Sequence, residues 1–105
     1  MNLQEKENYN LLHLSDSLAD LEANLAALGS NHLVVEVSEN LNIEDSKISV
    51  LLNIASSFKE NGMSFVVIKS GIDIDDFPET LNIVPTLQEA EDVMEMEAIE
   101  RDLGF

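Results

Sequence analysis

Residues 33–47, LVVEVSENLNIEDSK, decide the fold that this sequence predicts. The first five of them, Leu33–Val37, form a dense β-branched run, which is typical of a buried parallel strand. The polar loop Ser38–Asn42 follows, and helical periodicity begins at about Asp45. Small α/β domains often place a functional group at such a strand–loop–helix junction, because the first turn of a helix has N–H groups without intrahelical partners.

The helix that starts near Asp45 is predicted to run to about Glu60, where Asn61-Gly62 ends it. Its inward face carries apolar side chains at helical spacing, namely Ile48, Leu51, Leu52, Ala55 and Phe58. The next segment, Ser64–Lys69, is nearly continuous in apolar residues and predicts a second buried strand.

Towards the N-terminus, Tyr9–Leu14 predicts a further short strand. Ser15-Asp16-Ser17 then supplies N-cap chemistry for a helix that Gly29 closes. One face of that helix is predicted to hold Leu18, Leu21, Leu25 and Leu28.

Towards the C-terminus, Ser70–Thr80 is irregular, and Leu81–Val84 predicts a strand that Pro85 stops. Thr86 and Glu89 have the spacing of a capping box directly before a last helix. The inward side chains of this helix are predicted to be Leu87, Ala90, Val93, Met94, Ala98 and Ile99. Strands that alternate with helices predict an α/β fold with a four-stranded, mainly parallel sheet and helices packed on it.

Composition sets broad limits on function. The chain has 105 residues, which is one domain, and a formal net charge of −16 from five Lys/Arg and 21 Asp/Glu. This charge repels phosphate backbones, so we expect no direct binding of nucleic acid. The absence of cysteine excludes disulfides and thiolate zinc sites and suits the cytoplasm. We expect neither a targeting signal nor a membrane span, because the longest apolar runs are four residues.

No residues form a recognisable catalytic or metal-binding pattern. His13 and His32 belong to no ligand spacing. Asp73, Asp75 and Asp76 invite a calcium interpretation, but the sixth and twelfth positions counted from Asp73 are proline and valine instead of glycine and glutamate. There is no glycine-rich phosphate loop and no serine–histidine arrangement. We therefore expect no enzymatic activity, no catalytic residue, no cofactor and no metal.

The last helix carries seven acidic residues, which are Glu89, Glu91, Asp92, Glu95, Glu97, Glu100 and Asp102. Helical spacing distributes them over the solvent side, so they do not converge as catalytic carboxylates would. They form either a solvated face or a docking surface for a basic partner. Met94 and Met96 lie on successive faces, so one of them is a candidate for an exposed, adaptable contact.

Residues 9–103 resemble a STAS domain, the fold of bacterial anti-sigma-factor antagonists. The resemblance depends on the order of elements, on Glu44-Asp45-Ser46-Lys47 where those proteins carry D-S-[ST]-G, and on the tail. The tail, Val84–Ala90 with Glu97–Leu103, is similar to that of short bacterial STAS-like proteins often encoded beside ribonuclease Z. The chain itself lacks the histidine-rich motif of that nuclease. Residues 9–105 are thus predicted to be a single STAS-like domain, preceded by residues 1–8, which are too polar for the extra antiparallel strand of many STAS domains.

The resemblance implies a switch motif that has been altered. A partner kinase phosphorylates the first serine of D-S-[ST]-G in the family, whereas Asp45 stands here and cannot be modified in that way. Asp45 is either a permanent imitation of the phosphorylated state or a helix N-cap. Lys47 replaces the glycine, so a docking partner must accommodate a lysine or pair an acid with it. Ser46 remains a residue that could be modified.

The sequence therefore predicts a non-catalytic, cytoplasmic protein-interaction and regulatory domain. Its expected contact surface is the loop 38–47 and the exposed face of the following helix. The candidate partner-binding residues are Asn42, Glu44, Asp45, Ser46, Lys47 and Ser49. The resemblance implies a protein partner, either a basic regulator or an anti-sigma-like kinase, and leaves the oligomeric state open.

Two alternatives stay open. The chain could be an acidic auxiliary subunit or regulator of a nucleic-acid enzyme, such as a tRNA-processing nuclease, that binds through the last helix. It could also be a small-ligand enzyme with a pocket near Ser38 and Ser70, at the carboxyl ends of the strands.

Overall fold

The computed structural model describes residues 2–14, 21–22, 31–38, 41, 43–71, 73, 75, 77–78 and 80–104. Five strands and two long helices lie within them. In chain order they are β1 (Asn2–Glu5), β2 (Tyr9–Leu14), β3 (His32–Val37), α1 (Asp45–Glu60), β4 (Phe65–Ile68), β5 (Ile83–Val84) and α2 (Leu87–Asp102).

The predicted helix between Ser15 and Gly29 falls mainly outside the described residues. Leu21 and Glu22 are helical, and Leu21 is fully buried. The predicted positions of Leu18, Leu25 and Leu28 lie outside the described part of the chain.

The α/β class is confirmed, but the predicted four-stranded sheet is wrong in its strand count. The sheet has five strands in the order β1-β2-β3-β4-β5, with β1 antiparallel and the other pairs parallel. The additional strand lies in the segment that the sequence marks as too polar. β1 is an edge strand, so its backbone pairs with β2 while polar side chains such as Gln4 and Glu5 stay exposed.

The core is organised around β3 and β4. Leu33, Val34 and Val35 are 0% exposed, and all four residues of β4 are buried. Successive side chains point to opposite faces of a strand, so each strand contributes to two apolar layers. Leu33 and Val35 pack on the α1 side, whereas Val34 packs on the α2 side with Ala90.

The bounds of α1 agree with the prediction at both ends. Of the predicted core positions, Leu51 and Phe58 are buried against the sheet and three are only half-buried. Those three are Ile48, Leu52 and Ala55. Ile54, which the prediction did not include, is also buried. Gly62 ends the helix with φ +74°, and the N–H of Met63 donates to the Phe58 carbonyl at 2.8 Å. This left-handed residue lets the chain turn back into β4.

The predicted inward face of α2 is correct in its first half only. Ala90 is buried and Leu87, Val93 and Met94 pack half-buried against the sheet, but Ala98 and Ile99 are exposed. The inward line of the helix continues through Glu97 and Arg101. These polar side chains face inward because Asn82 and Ser64 lie within hydrogen-bond distance of them.

The other two strand predictions are correct in place and too long. The predicted strand Ser64–Lys69 is shortened to four residues and Leu81–Val84 to two. Of the irregular region 70–80, the structure describes residues 70–71, 73, 75, 77–78 and 80.

Replacement of Thr86 tests the cap of α2. The Thr86 side chain accepts a hydrogen bond from the Glu89 N–H at 3.2 Å. Thr86→Ala should lower the free energy of unfolding by about 1 kcal/mol, because that N–H loses its partner. Thr86→Ser keeps the acceptor and should stay close to the wild type in urea unfolding. Equal losses in both variants would show that the methyl group matters and the cap does not.

Candidate functional site

The predicted site lies at the carboxyl end of β3, where the loop leads into α1. The N–H of Ser38 continues the sheet by donating to the Leu14 carbonyl at 2.9 Å. The N–H of Leu41 then donates to the Ser38 carbonyl at 3.0 Å, which turns the chain towards the helix. Ile43, just before the helix, is half-buried against the core. Backbone bonds and the apolar contacts of Leu41 and Ile43 therefore position the start of α1.

Lys69 fastens this loop to the neighbouring strand. It follows β4 directly, and its Nζ donates to the carbonyls of Ser38 at 3.2 Å and Leu41 at 2.7 Å. Its backbone N–H donates to the Val84 carbonyl of β5 at 2.9 Å. One half-buried lysine thus joins β4, β5 and the loop before α1. Bonds from a charged donor are stronger than neutral ones, so this contact should hold the loop in place.

The cap of α1 is Glu44, which corrects the prediction that Asp45 could be the N-cap. Glu44 has extended backbone angles (φ −72°, ψ 154°), and its carbonyl accepts from the N–H groups of Lys47 at 2.8 Å and Ile48 at 3.2 Å. Asp45 is the first helical residue. The Glu44 side chain makes no capping hydrogen bond.

Three of the predicted partner-binding side chains are exposed together. Glu44, Ser46 and Ser49 are all exposed at the start of α1, and Ser46 and Ser49 are three residues apart on one helix face. Asn42 and the Asp45 side chain lie outside what the structure describes. We call the exposed patch of Glu44, Ser46 and Ser49 the α1 surface.

Lys47 is paired within the chain. Its Nζ lies 3.8 Å from the Glu22 Oε2, and the two side chains are 41% and 40% exposed. Such an exposed pair contributes between about 0 and 1 kcal/mol, so it orients the lysine without fixing it. The sequence predicts that a partner must accommodate Lys47 or supply an acid for it. Glu22 is an acid from the chain itself, and sequence patterns gave no sign of it because it is distant along the chain.

A separate polar cluster lies at the amino ends of the strands, beneath the last turns of α2. The N–H of buried Ser64 donates to His32 Nδ1 at 2.8 Å. The two terminal nitrogens of the Arg101 guanidinium, Nη1 and Nη2, each lie 3.5 Å from Ser64 Oγ. Asn82 Nδ2 donates to Glu97 Oε2 at 3.0 Å. Because His32 Nδ1 accepts from the backbone, it does not act as a base towards the Ser64 hydroxyl.

Two open grooves formed by described residues border this cluster, and the residues given for their walls contain no catalytic pairing. One has a volume of about 650 Å³ beside Tyr9 and His32, and the other has about 730 Å³ beside Asn82 and Arg101. Both lie towards the amino ends of the strands, whereas the small-ligand alternative places its pocket at the carboxyl ends near Ser38 and Ser70.

Tyr9 Oη donates to Glu91 Oε2 at 3.1 Å, and burial and this carboxylate raise the pKa of Tyr9.

The described residues contain no group of three or more His, Asp or Glu side chains that could hold a metal ion. His13 Nδ1 pairs with Glu36 Oε1 at 2.6 Å. Asp73 Oδ1 accepts from the Asp75 N–H at 3.0 Å, which is a local turn, and Asp76 is outside the described residues. Among the helices described, none is long and apolar enough to cross a membrane.

No model of a protein family matches the chain, and no curated protein matches it.

Replacement of Lys69 tests how the α1 surface is held. Lys69→Met keeps the aliphatic stem and removes the donors to the Ser38 and Leu41 carbonyls, so it should lower the free energy of unfolding by about 1–3 kcal/mol. Lys59→Met is the matched control, because Lys59 is an exposed lysine at the end of α1. Hydrogen exchange of the Leu41 amide should accelerate in Lys69→Met and not in Lys59→Met. Unchanged exchange would contradict the role of Lys69.

The stability of the fold should depend on His32 at acidic pH. Burial, assisted by Arg101 and opposed by Glu97, lowers the pKa of His32 below its usual 6.5. The unfolded chain therefore binds more protons, and the stability that neutral His32 provides is lost as pH falls below about 6.5.

His32→Asn cannot titrate at this position. Between pH 7 and pH 5 we therefore expect the unfolding free energy of the wild type to fall by more than that of His32→Asn. Urea unfolding at several pH values measures this difference. An NMR titration of the His32 ring with a midpoint at or above 6.5 would contradict the expectation.

Proposed function

We propose that this chain is a non-catalytic, cytoplasmic domain that regulates a protein partner by binding it through the α1 surface. The observation that carries this proposal is the exposure of Glu44, Ser46 and Ser49 at a helix start that Lys69 anchors to the sheet. Because the backbone is already fixed, binding does not have to order the loop, which reduces the entropic cost of recognition.

The resemblance to STAS domains supports the same location for the contact. In that family the switch serine lies at the start of the corresponding helix, where Asp45 is the first helical residue here. The antiparallel β1 before the parallel strands agrees with the extra strand of many STAS domains. The proposed partner is a basic regulator or an anti-sigma-like kinase, and the −16 net charge of the chain would speed its encounter with a basic protein.

Because Asp45 replaces the phosphorylated serine, a kinase could not switch the proposed interaction on or off at this position. An aspartate carries about one negative charge against −1.5 to −2 for phosphoserine, and a serine kinase cannot add to it. Regulation would then depend on the amounts of the two proteins or on modification of exposed Ser46.

A second candidate function uses another surface. An acidic auxiliary subunit or regulator of a nucleic-acid enzyme, such as a tRNA-processing nuclease, would bind through α2, whose acidic residues are mostly exposed. Direct contact with the nucleic acid is not proposed, because the charge of the chain is unfavourable for it.

Partner capture with matched variants tests the proposal. Ser49→Arg and Ser57→Arg introduce the same charge and volume at exposed serines of α1, near its first turn and near its last turn. We expect a defined protein in a lysate of the native organism to be retained by the wild type and Ser57→Arg. Retention should fall at least about tenfold for Ser49→Arg, since a misplaced arginine disrupts a packed contact.

Asp45→Ser adds a second comparison. If Asp45 imitates phosphoserine, the substitution should change which protein is retained. Equal capture by all four chains, or an equal loss in Ser49→Arg and Ser57→Arg, would contradict the proposed surface. A loss confined to charge reversal of Glu95 and Glu100 on α2 would favour the second candidate function.

A further inference from the structure

The outer face of α2 exposes three large apolar side chains in one row. Met96, Ile99 and Leu103 are 62%, 54% and 65% exposed. Their spacings of three and four residues place them on one helix face, and buried Ala90 marks the opposite face towards the sheet. We call Met96, Ile99 and Leu103 the α2 stripe. Exposed apolar side chains are common singly, but an aligned group of this kind marks an interaction site.

Acidic residues border the α2 stripe on both sides. Glu95 and Asp102 precede Met96 and Leu103 in sequence, and Glu100 follows Ile99, with all three acids exposed. In heptad terms the stripe occupies a and d positions, while these acids occupy e and g positions. When a partner helix packs on the a and d side chains, its own flanking residues contact the e and g side chains. Opposite charges at these positions form salt bridges that determine which partner binds.

We propose that the α2 stripe is a docking site for a basic amphipathic helix of a protein partner. Such a helix would present leucine or isoleucine at spacings of three and four residues, with lysine or arginine on either side. Its apolar side chains would cover the stripe, and its cations would pair with Glu95, Glu100 and Asp102. Charge complementarity determines the chemistry of this occupant, because no cation among the described residues forms an ion pair with Glu95, Glu100 or Asp102.

The same charges argue against two other occupants. A second copy docked through the same face would place Glu95, Glu100 and Asp102 against their own equivalents, between chains that each carry a formal net charge of −16. An anionic membrane surface would be repelled in the same way, since acidic residues border the stripe on both sides.

This site is independent of the α1 surface. α1 and α2 pack on opposite faces of the sheet, because the residues of each helix belong to different apolar layers. The two contacts can therefore be changed separately, and failure of one proposal leaves the other intact.

The test uses a defined probe and the full chain. The probe is a fluorescein-labelled peptide of three heptads, with leucine at a and d and lysine at e and g. Fluorescence anisotropy should show saturable one-to-one binding at about 0.15 M salt. Ile99→Gln should weaken binding about tenfold, because an apolar side chain is lost from the contact. Ala98→Gln is the control, since it is exposed on the same helix, lies outside the stripe and leaves the charge unchanged.

A charge-matched pair of double variants separates the flanking acids from overall charge. Glu95→Gln with Glu100→Gln should weaken peptide binding about fivefold. Glu5→Gln with Glu60→Gln removes the same charge from exposed positions elsewhere and should have little effect. A peptide with glutamate in place of lysine at e and g should not bind.

Three results would overturn the proposal. They are equal weakening by both double variants, equal weakening by Ile99→Gln and Ala98→Gln, and a chain dimer in sedimentation that Ile99→Gln dissociates. Ser49→Arg should bind the peptide like the wild type, so a defect at the α1 surface remains distinguishable from a defect at the stripe.

Discussion

β3 has a neighbouring strand on each edge and an apolar layer on each face, and the remaining structure depends on this burial. Leu33, Val34 and Val35 have no exposed surface. Because successive side chains of a strand point to opposite faces of the sheet, both faces of β3 must be covered by apolar residues. α1 supplies one layer and α2 contributes to the other. This requirement separates the two helices and leaves each with its own outward face for contacts.

The site at the start of α1 combines a fixed backbone with exposed side chains. Lys69 joins the loop before the helix to β4 and β5 through hydrogen bonds from its Nζ to the Ser38 and Leu41 carbonyls and from its backbone N–H to the Val84 carbonyl. Lys47 pairs with Glu22 of the same chain, so a partner does not have to supply an acid for this lysine. The start of α1 therefore has a backbone fixed to the sheet and the exposed side chains of Glu44, Ser46 and Ser49.

Local patterns predicted much of the fold, and contacts between distant residues account for the errors. β2, β3, α1 and β4 follow from apolar runs and helical periodicity, which are properties of the segments themselves. β1 was missed because an edge strand depends on backbone pairing with β2 and tolerates polar side chains. The apolar pattern assigns Ile99 to the inward face, whereas in the structure Arg101 faces inward and contacts Ser64, which is 37 residues away in sequence.

The candidate site was predictable only in outline. The strand–loop–helix junction and the exposure of Ser46 and Ser49 follow from sequence, whereas Lys69 was not identified. Its acceptors are backbone carbonyls 31 and 28 residues away, and no side-chain pattern encodes such partners. The sequence predicts an exposed methionine at Met94 or Met96, and Met96 is the exposed one. The sequence does not predict the whole stripe on α2, because it assigns Ile99 to the core.

Photo-crosslinking in the native cell tests the central claim most directly. A benzophenone side chain at position 49 samples the α1 surface, and the same group at position 57 samples the far end of that helix. We predict a discrete protein adduct from position 49 and none of the same mass from position 57. An adduct of equal yield from both positions, or from position 57 alone, would contradict recognition through the start of α1.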